Sequence, residues 1–300
     1  MKRKRWNRVY FLAPVILFIT GAAIFLYPAI SNYIAEKKQW NVIQTYDAKM
    51  NTANKEEIEK EWKKAKIYNE NLIGQPVHDP FVLGSGFVLP NNYEDVLRLS
   101  EDGVMCYLRI PKLNVHMPIY HGTTEKVLRK GGGHLEMTSL PIGGKGNHAM
   151  ICAHRGLPSA ELFSRLDELK KHDLFYIHVL DQVHAYEVDD IQIIKPEDMK
   201  YIHFESKKDL ITLMTCTPYG VNTHRLLVRG RRIAYKNEQE KEIRIENNWK
   251  LEYVIVFVGG IAFFALKKGY RAYEKKKHEL FNSFFSHLAM YRRLCFVVIS

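Results

Sequence analysis

The sequence predicts a mainly β domain, a barrel or a sandwich, preceded by amphipathic helices and bounded by two apolar segments. From residue 104 to residue 235, short apolar runs alternate with turn residues, which is typical of a β-barrel or β-sandwich. In residues 31–73, apolar side chains recur at helical spacing. The two apolar segments, residues 9–30 and 253–266, contain no charged residue.

Apolar runs of strand length, separated by turn residues, fill the β region. These predicted strands are Met105–Ile110, Val115–Ile119, Ala149–Ala153, Leu174–Val179, Ala185–Val188, Gln192–Ile194, Leu210–Thr215 and Arg225–Val228. We also expect one helix over Leu157–Lys171, with Ser159 as its N-cap.

The excess of positive over negative charge is confined to the ends of the chain. The net charge of +11 consists of +5 from residues 1–8 and +6 from residues 267–300, so the region between them is neutral. A nucleic-acid-binding protein carries its excess charge on a folded face. Here the basic residues flank the two apolar segments, which indicates a membrane as partner and argues against nucleic acid. The apolar fraction of 46% and charged fraction of 26% are typical of a globular chain.

Both apolar segments are predicted to be transmembrane helices. The first, residues 9–30, would rise about 33 Å as a helix, enough to cross the hydrocarbon core of a bilayer; a cleaved signal peptide is the alternative. The second, residues 251–267, is short for a span, and a buried core element is its alternative. The positive-inside rule places both basic flanks in the cytoplasm and the intervening domain outside the cell.

The cysteines do not form a metal-binding pattern, because no C-x-x-C pair occurs in the sequence. Three of them, Cys106, Cys152 and Cys216, precede the second apolar segment and are therefore predicted to lie outside the cell. At least one of these three cannot pair within the chain. A leftover thiol in an exported domain is a candidate reactive group.

Cys216 ends a predicted strand, T-L-M-T-C, before a turn through Pro218 and Gly220. A hairpin here would bring Arg225 close to Cys216, and His154 ends another predicted strand in the segment A-H-R-G. The thiolate is the reactive form of cysteine, and a nearby cation stabilises it. Histidine can protonate a leaving amine, and arginine can stabilise an oxyanion. The three residue types suffice for acyl transfer, although a small buried residue is the commoner role of a free cysteine.

These segments resemble the sortases, and most closely the class C, pilin-polymerising sortases. The resemblance covers about residues 70–235. Its motifs are G-H-L-E-M-T-S-L-P at 133–141, A-H-R-G at 153–156 and T-C-T-P-Y-G-V-N-T-H-R-L-L-V-R-G at 215–230. The resemblance implies an eight-stranded sortase-type β-barrel. In it Cys216 is the nucleophile, His154 the general acid/base and Arg225 the substrate or oxyanion stabiliser.

A further segment, H-D-P-F at residues 78–81, resembles the lid of class C sortases. The resemblance implies that Asp79 pairs with the catalytic arginine and that Phe81 covers the cysteine, with Pro80 fixing the backbone between them. An ordinary Asp-Pro turn is the alternative.

The resemblance completes the predicted organisation of the chain. The segments are a cytoplasmic basic tail (1–8), a transmembrane helix (9–30), N-terminal helices with the lid loop (31–90), the catalytic barrel (91–240), a second transmembrane helix (251–267) and a cytoplasmic tail (268–300).

The function implied by the resemblance is a cysteine transpeptidase in the cell membrane of a Gram-positive bacterium. Cys216 would cleave an LPXTG-like sorting signal after Thr, and a Lys amine of another secreted pilin subunit would resolve the acyl-enzyme into an isopeptide bond. No cofactor and no metal are expected. Two alternatives stay open: a sortase that anchors proteins to peptidoglycan, and a non-catalytic membrane-anchored binding module.

Other residues in the β region receive plainer interpretations. A metal site formed by His148, His154 and Cys152 is disfavoured by strand alternation, by compartment and by the family resemblance. Cys152 is expected to neighbour the site without acting as a catalyst. Structural or solvated roles are expected for His121, His134 and His224.

Overall fold

The structure of the chain, a computed structural model, is described for residues 2–72, 92–198, 207–237, 259–260, 267–271, 273–275 and 279. For residues 2–15 and 18 it describes the backbone only. The chain divides into two compact units, Met1–Ile245 and Glu246–Ser300. The first unit contains the barrel and its helices, and the described residues of the second unit are helical.

Two helices precede the barrel, α1 (Lys2–Thr52) and α2 (Lys55–Asn71). Asn54 caps α2 through its side chain, which accepts a hydrogen bond from the amide of Glu56. The helix α1 is continuous, so the first predicted span and the first part of the amphipathic segment form one element. Its C-terminal part packs on the barrel, where the Tyr46 hydroxyl accepts from the amide of Leu180 (2.8 Å) and donates to the carbonyl of Met105 (3.3 Å).

Neither predicted membrane span is established by the structure. When the described residues alone are considered, no helix has both the length and the apolar character needed to cross a bilayer. Most of the second predicted span, residues 251–267, lies outside the described residues.

Eight strands form a closed barrel, as predicted. They are β1 (Val104–Ile110), β2 (Val115–His121), β3 (Gly132–His134), β4 (His148–Cys152), β5 (Leu174–Val179), β6 (Gln182–Ile194), β7 (Leu210–Thr217) and β8 (His224–Ile233). Their order around the barrel is β1-β2-β3-β4-β7-β8-β6-β5. The pairs β2/β3 and β4/β7 are parallel, and the other pairs are antiparallel.

Two strands differ from the sequence prediction. The runs predicted as separate strands within residues 185–194 belong to the single strand β6, whose register shifts between Val188 and Asp190 in its pairing with β8. The polar residues that suggested a break lie at this irregularity, and Asp189 there pairs with the Arg229 guanidinium at 2.9 Å. The strand β3 was not predicted, because its sequence, Gly-Gly-His, has no strand propensity.

The prediction of one helix over Leu157–Lys171 is wrong. This segment consists of turns and one short 3₁₀ helix, Leu166–Glu168. Its apolar residues Phe163 and Leu166 are fully buried, which explains the helix-like spacing. Hydrogen bonds across the segment, such as that from the Gly156 amide to the Ser164 hydroxyl (3.0 Å), replace a helical pattern.

Side chains along the strands alternate between the barrel interior and the outer face. In the three strands that will matter for the site, Ile151, Leu213 and Leu226 belong to the main core. Their strand neighbours Cys152, Met214 and Leu227 belong to a second, smaller apolar cluster. Full burial of a large apolar side chain contributes about 1.5–3 kcal/mol, so this alternation fixes which residues face outward.

Candidate active site

Cys216 and Arg225 lie directly opposite each other in the hairpin of β7 and β8. Directly opposed residues of an antiparallel pair have Cβ atoms about 4.5–5.5 Å apart and point to the same face of the sheet. The Arg225 side chain is buried, and its Nη1 donates to the carbonyls of Asn222 (3.1 Å) and His224 (3.2 Å). These bonds hold the guanidinium beside the strand pair, next to the thiol.

The parallel pairing of β4 with β7 carries His154 to the level of Cys216. Cys152 lies opposite Met214 at the end of this ladder. One residue further on, the Ala153 amide donates to the Met214 carbonyl (3.2 Å), and the Thr215 hydroxyl donates to the Ala153 carbonyl (2.8 Å). The two strands run in the same direction, so the residues that follow Ala153 and Thr215, which are His154 and Cys216, lie at the same level.

The His154 side chain is 22% exposed and lies beside an acidic partner. Its Nε2 is 3.2 Å from Oε2 of Glu125, which begins the short helix α3 (Glu125–Leu128). The other Glu125 oxygen accepts from Nε of Arg129 at 2.7 Å. This hydrogen bond is the main cause that lowers the pKa of Glu125 below its ordinary value, with His154 contributing. Glu125 therefore remains a carboxylate, which favours the imidazole form that carries a hydrogen on Nε2.

The three described cysteines differ in accessibility. Cys106 and Cys152 are fully buried, whereas Cys216 is partly exposed. Burial raises the pKa of the Cys106 thiol far above its usual value, which keeps that thiol protonated and inert. Among these three, Cys216 is the thiol that a substrate can reach.

An apolar surface lies on the same outer face as Cys216 and Arg225. We call it the apolar floor; its buried residues are Leu128, Leu135, Met150, Cys152, Ile194, Met214 and Leu227. By strand alternation, Met214 shares the face of Cys216 and Leu227 shares that of Arg225. The thiol and the guanidinium therefore lie on the face of the hairpin that also carries Met214 and Leu227 of this buried cluster.

Comparison with known proteins identifies the family of the chain. The family model of the sortase domain matches residues 108–233. A sortase C structure from Streptococcus pneumoniae is 44% identical, with a TM-score of 0.60, over 65% of this chain and 97% of the other. This chain belongs to the sortase family.

Two further relatives place this sortase within the family. A pilus-related sortase C of Group B Streptococcus is 39% identical over 64% of this chain and 97% of the other, with a TM-score of 0.59. Sortase A of Bacillus anthracis is 25% identical over 77% of this chain and 97% of its own length. The higher identity to the sortase C structures agrees with the class C assignment made from the sequence.

The remaining predicted residues of this sortase have the following placements. Asp79, Pro80 and Phe81 lie outside the described residues. His148 is buried and bonds to the Thr212 hydroxyl at 2.8 Å. Within the described ranges, no group of three or more His, Cys, Asp or Glu side chains is arranged to hold a metal ion.

The three histidines expected to be structural or solvated differ in burial. His121 and His134 are buried, and His121 bonds to the Val96 carbonyl at 2.7 Å. His224 is partly exposed, and its Nδ1 lies 2.9 Å from the Thr223 hydroxyl.

Two residues near the site were missed by sequence reasoning. Glu125 contacts His154 from a different part of the chain, and its sequence context gives no signal beyond a helix start. Arg155 follows His154 directly, so its position next to a candidate catalytic residue was a signal that could have been used. Its Nη1 donates to the Thr217 hydroxyl (3.0 Å) and its Nη2 to Asp167 (2.5 Å).

Proposed function

We propose that this sortase is a transpeptidase that joins pilin subunits through their sorting signals. The observation that carries the proposal is the register of β7 with its two neighbours. It sets Cys216 opposite Arg225 and at the level of His154, on the face of the hairpin that contributes to the apolar floor. The chemistry needs a nucleophile, an acid/base and an oxyanion stabiliser, and these three residues supply one of each.

In the first half-reaction, the Cys216 thiolate attacks the carbonyl carbon of Thr in an LPXTG-like sorting signal and forms a C–S bond. The carbonyl oxygen becomes an oxyanion, which the Arg225 guanidinium stabilises. When the intermediate collapses, the C–N bond breaks, and His154 gives its proton to the departing amine. The product is a thioacyl-enzyme on Cys216 and a released C-terminal fragment.

In the second half-reaction, a Lys amine of another pilin subunit attacks the thioester carbon. Neutral His154 takes the proton of the attacking amine, and the C–S bond breaks to restore the Cys216 thiolate. The new C–N bond is an isopeptide bond. Glu125 supports both steps by accepting from Nε2 of His154, which fixes one ring nitrogen while the other exchanges the proton.

The relatives support pilin as the substrate class. The S. pneumoniae sortase C structure is described in terms of pilin substrate specificity, and the Group B Streptococcus enzyme is described as pilus-related. This chain is more similar to these two than to the sortase A of B. anthracis, which favours pilin polymerisation over anchoring to peptidoglycan.

We also propose that the enzyme is anchored in the cell membrane by residues 9–30 and 251–267, with the barrel outside. The first segment is uncharged, and in α1 the side chains of Leu17, Ile24 and Phe25 are 74–81% exposed. Reporter fusions after residue 30 and after residue 240 should both indicate an outside location. A cytoplasmic signal at residue 240 would contradict this topology.

The lid formed by Asp79, Pro80 and Phe81 is a further part of the proposal, and the class C motif in the sequence supports it. If these residues cover the thiol, the double variant Asp79→Ala/Phe81→Ala should react faster than wild type with a small thiol reagent between pH 6 and 9. Asp95→Ala, an exposed acid beyond the segment, serves as the matched control. Equal labelling rates in all three proteins would show that residues 78–81 are an ordinary turn that does not cover the thiol.

The experiment that tests the function offers the full-length enzyme a fluorescent sorting peptide together with two competing amines. One acceptor is a pilin fragment with reactive lysines, and the other is a glycine peptide that mimics a peptidoglycan cross-bridge. Mass spectrometry of the conjugates identifies the nitrogen that was joined. We expect the lysine ε-amine, and no conjugate with Cys216→Ala.

The alternatives predict different products in the same assay. Exclusive use of the glycine α-amine would favour a sortase that anchors proteins to peptidoglycan. Binding of the peptide with no cleavage and no conjugate, by wild type and Cys216→Ala alike, would favour a non-catalytic binding module. Cys152→Ala serves as the control thiol variant and should retain activity, because Cys152 is buried.

A further inference from the structure

Arg155 occupies a position between the segments that carry the two predicted catalytic residues. It follows His154 in the chain, and its Nη1 donates to the hydroxyl of Thr217, the residue after Cys216, at 3.0 Å. Its Nη2 donates to Asp167 in the 3₁₀ helix Leu166–Glu168 at 2.5 Å. The guanidinium also lies 6.0 Å from the ring centre of Tyr219, within the range of a cation–π contact.

The Arg155 side chain is kept in place at an energetic cost. It is 8% exposed, and its Nε is buried without a hydrogen-bond partner. Removing a guanidinium from water is costly, and an unmet N–H adds to that cost. Apolar side chains of similar volume often replace a buried ion pair without loss of stability, so the ion pair of Arg155 is weak evidence for a role in stability alone.

We propose that Arg155 is a positioning residue that fixes His154 relative to Cys216. The inference rests on the proposed function, in which Cys216 forms the bond to the substrate and His154 exchanges a proton with it. The backbone of His154 is held from one side by the bond of its carbonyl with the Phe163 amide (3.1 Å). On the other side, Arg155 adds a side-chain bond to Thr217, one residue beyond Cys216, to the bonds that already join Ala153 to Met214 and Thr215.

Loss of this connection should affect catalysis more than folding. A displacement of about 1 Å in a catalytic group can cost about 100-fold in rate. We therefore expect Arg155→Ala to lower kcat/KM for a sorting peptide by about 10- to 100-fold. We also expect the pH profile of Cys216 alkylation to move to higher pH, because the imidazolium no longer lies at a fixed distance from the thiolate.

The matched control is Arg165→Ala, which removes another arginine from the same loop. Arg165 is 44% exposed, and its ion pairs with Glu168 and Glu161 are on the surface. Surface ion pairs contribute little, so this variant should stay within about twofold of wild type in kcat/KM and in the alkylation profile. The conservative Arg155→Lys can keep one bond but not both, and should lie between wild type and Arg155→Ala.

The test is made on the full-length enzyme, with turnover and alkylation measured on each variant and folding checked by circular dichroism. A folded Arg155→Ala protein with the wild-type alkylation profile and rate would overturn the proposal. If Arg155→Ala does not fold, Thr217→Val and Asp167→Ala each remove one of the two bonds. Each should then shift the profile in the same direction by a smaller amount, and no shift in either would also overturn it. Failure of the proposed function is a separate result, because wild type itself would then form no conjugate.

Discussion

Two histidines of the barrel region, His134 and His154, differ in burial and in hydrogen-bond partners. The difference indicates a structural role for His134 and suits a chemical role for His154. His134, in β3, is fully buried; its Nδ1 lies 2.9 Å from the Tyr93 hydroxyl and its Nε2 lies 2.8 Å from the Ser139 carbonyl. His154 lies just beyond β4, is 22% exposed, and pairs with the exposed carboxylate of Glu125. Burial lowers the pKa of His134 to about 4.

The surroundings of each imidazole decide whether its ring can take part in chemistry. Both nitrogens of His134 lie within hydrogen-bond distance of buried groups, and desolvation penalises its charged form, so the ring is held neutral. His154 lies where the parallel ladder ends, so its ring reaches solvent and a carboxylate that can stabilise its charged form. His154 is therefore accessible to a substrate, whereas His134 is enclosed by the fold.

The largest expected effect comes from exchanging the two histidines for glutamine. His154→Gln should lower kcat/KM by about 10²- to 10⁴-fold, the usual contribution of general acid/base catalysis. Its free energy of unfolding should change by no more than about 0.5 kcal/mol. His134→Gln should instead lower the free energy of unfolding by about 1–3 kcal/mol through unmet buried hydrogen bonds, with kcat/KM nearly unchanged.

Urea unfolding and peptide turnover on both variants measure these effects side by side. If His134→Gln lost turnover while remaining folded, or if His154→Gln kept it, the assignment of a structural role to His134 and a catalytic role to His154 would be wrong.

A smaller effect concerns the dependence of stability on pH. The unfolded chain binds a proton at residue 134 near its ordinary pKa of about 6.5, whereas the folded chain binds it near 4. Between these values the unfolded state holds more protons, so His134 makes stability fall as the pH falls. The slope is at most about 1.4 kcal/mol per pH unit.

Comparison of variants isolates this contribution, because burial raises the pKa of Glu136 and Asp209 and these groups act in the opposite direction. The free energy of unfolding, measured at pH 7 and pH 5, should fall less in His134→Gln than in wild type. The exposed His172→Gln variant is the control and should follow wild type. An unchanged pH dependence in His134→Gln would show that His134 is not held neutral.

The smallest expected effect comes from Glu125→Gln. The Glu125 side chain, which contacts His154, is 60% exposed, and exposed ion pairs contribute about 0.2–1 kcal/mol. Turnover should therefore fall by about fivefold or less. Glu168→Gln, which removes another exposed carboxylate paired with an arginine, should leave turnover unchanged. A loss in Glu125→Gln as large as in His154→Gln would make the carboxylate an essential part of the site.

Much of the barrel follows from the sequence because most strands are apolar runs between turns. The hairpin that opposes Cys216 and Arg225 also follows, from two strands joined by a turn with proline and glycine. The strand β3 could not be predicted from the sequence. A Cβ on Gly132 would lie 2.5 Å from Cδ1 of Ile119, and one on Gly133 would collide with the Gly122 carbonyl oxygen. The contact at Gly133 is with backbone, so the close approach of the chain just after β2 requires glycine at this position. Glycine in turn lowers the apparent strand propensity of β3.

The surroundings of the site were less predictable than its residue types. The contact of Glu125 with His154 joins the start of α3 to the segment after β4, and no local sequence pattern encodes it. The bonds of Arg155 to Thr217 and Asp167 likewise depend on how the segment after His154 turns. That segment does not form the predicted helix, and hydrogen bonds such as that from the Gly156 amide to the Ser164 hydroxyl replace a helical pattern.

The measurement that tests the central claim most directly is the mass of the enzyme trapped during turnover. Full-length enzyme is incubated with a sorting peptide in the absence of an amine acceptor, quenched in acid, digested and sequenced by tandem mass spectrometry. The account predicts an acyl group that ends at the Thr of the sorting signal, attached through a thioester to Cys216. It should be absent in Cys216→Ala, and Cys106 and Cys152 should be unmodified. An acyl group on another residue, or turnover with no acylated Cys216 at any time, would contradict the assignment of Cys216 as the nucleophile.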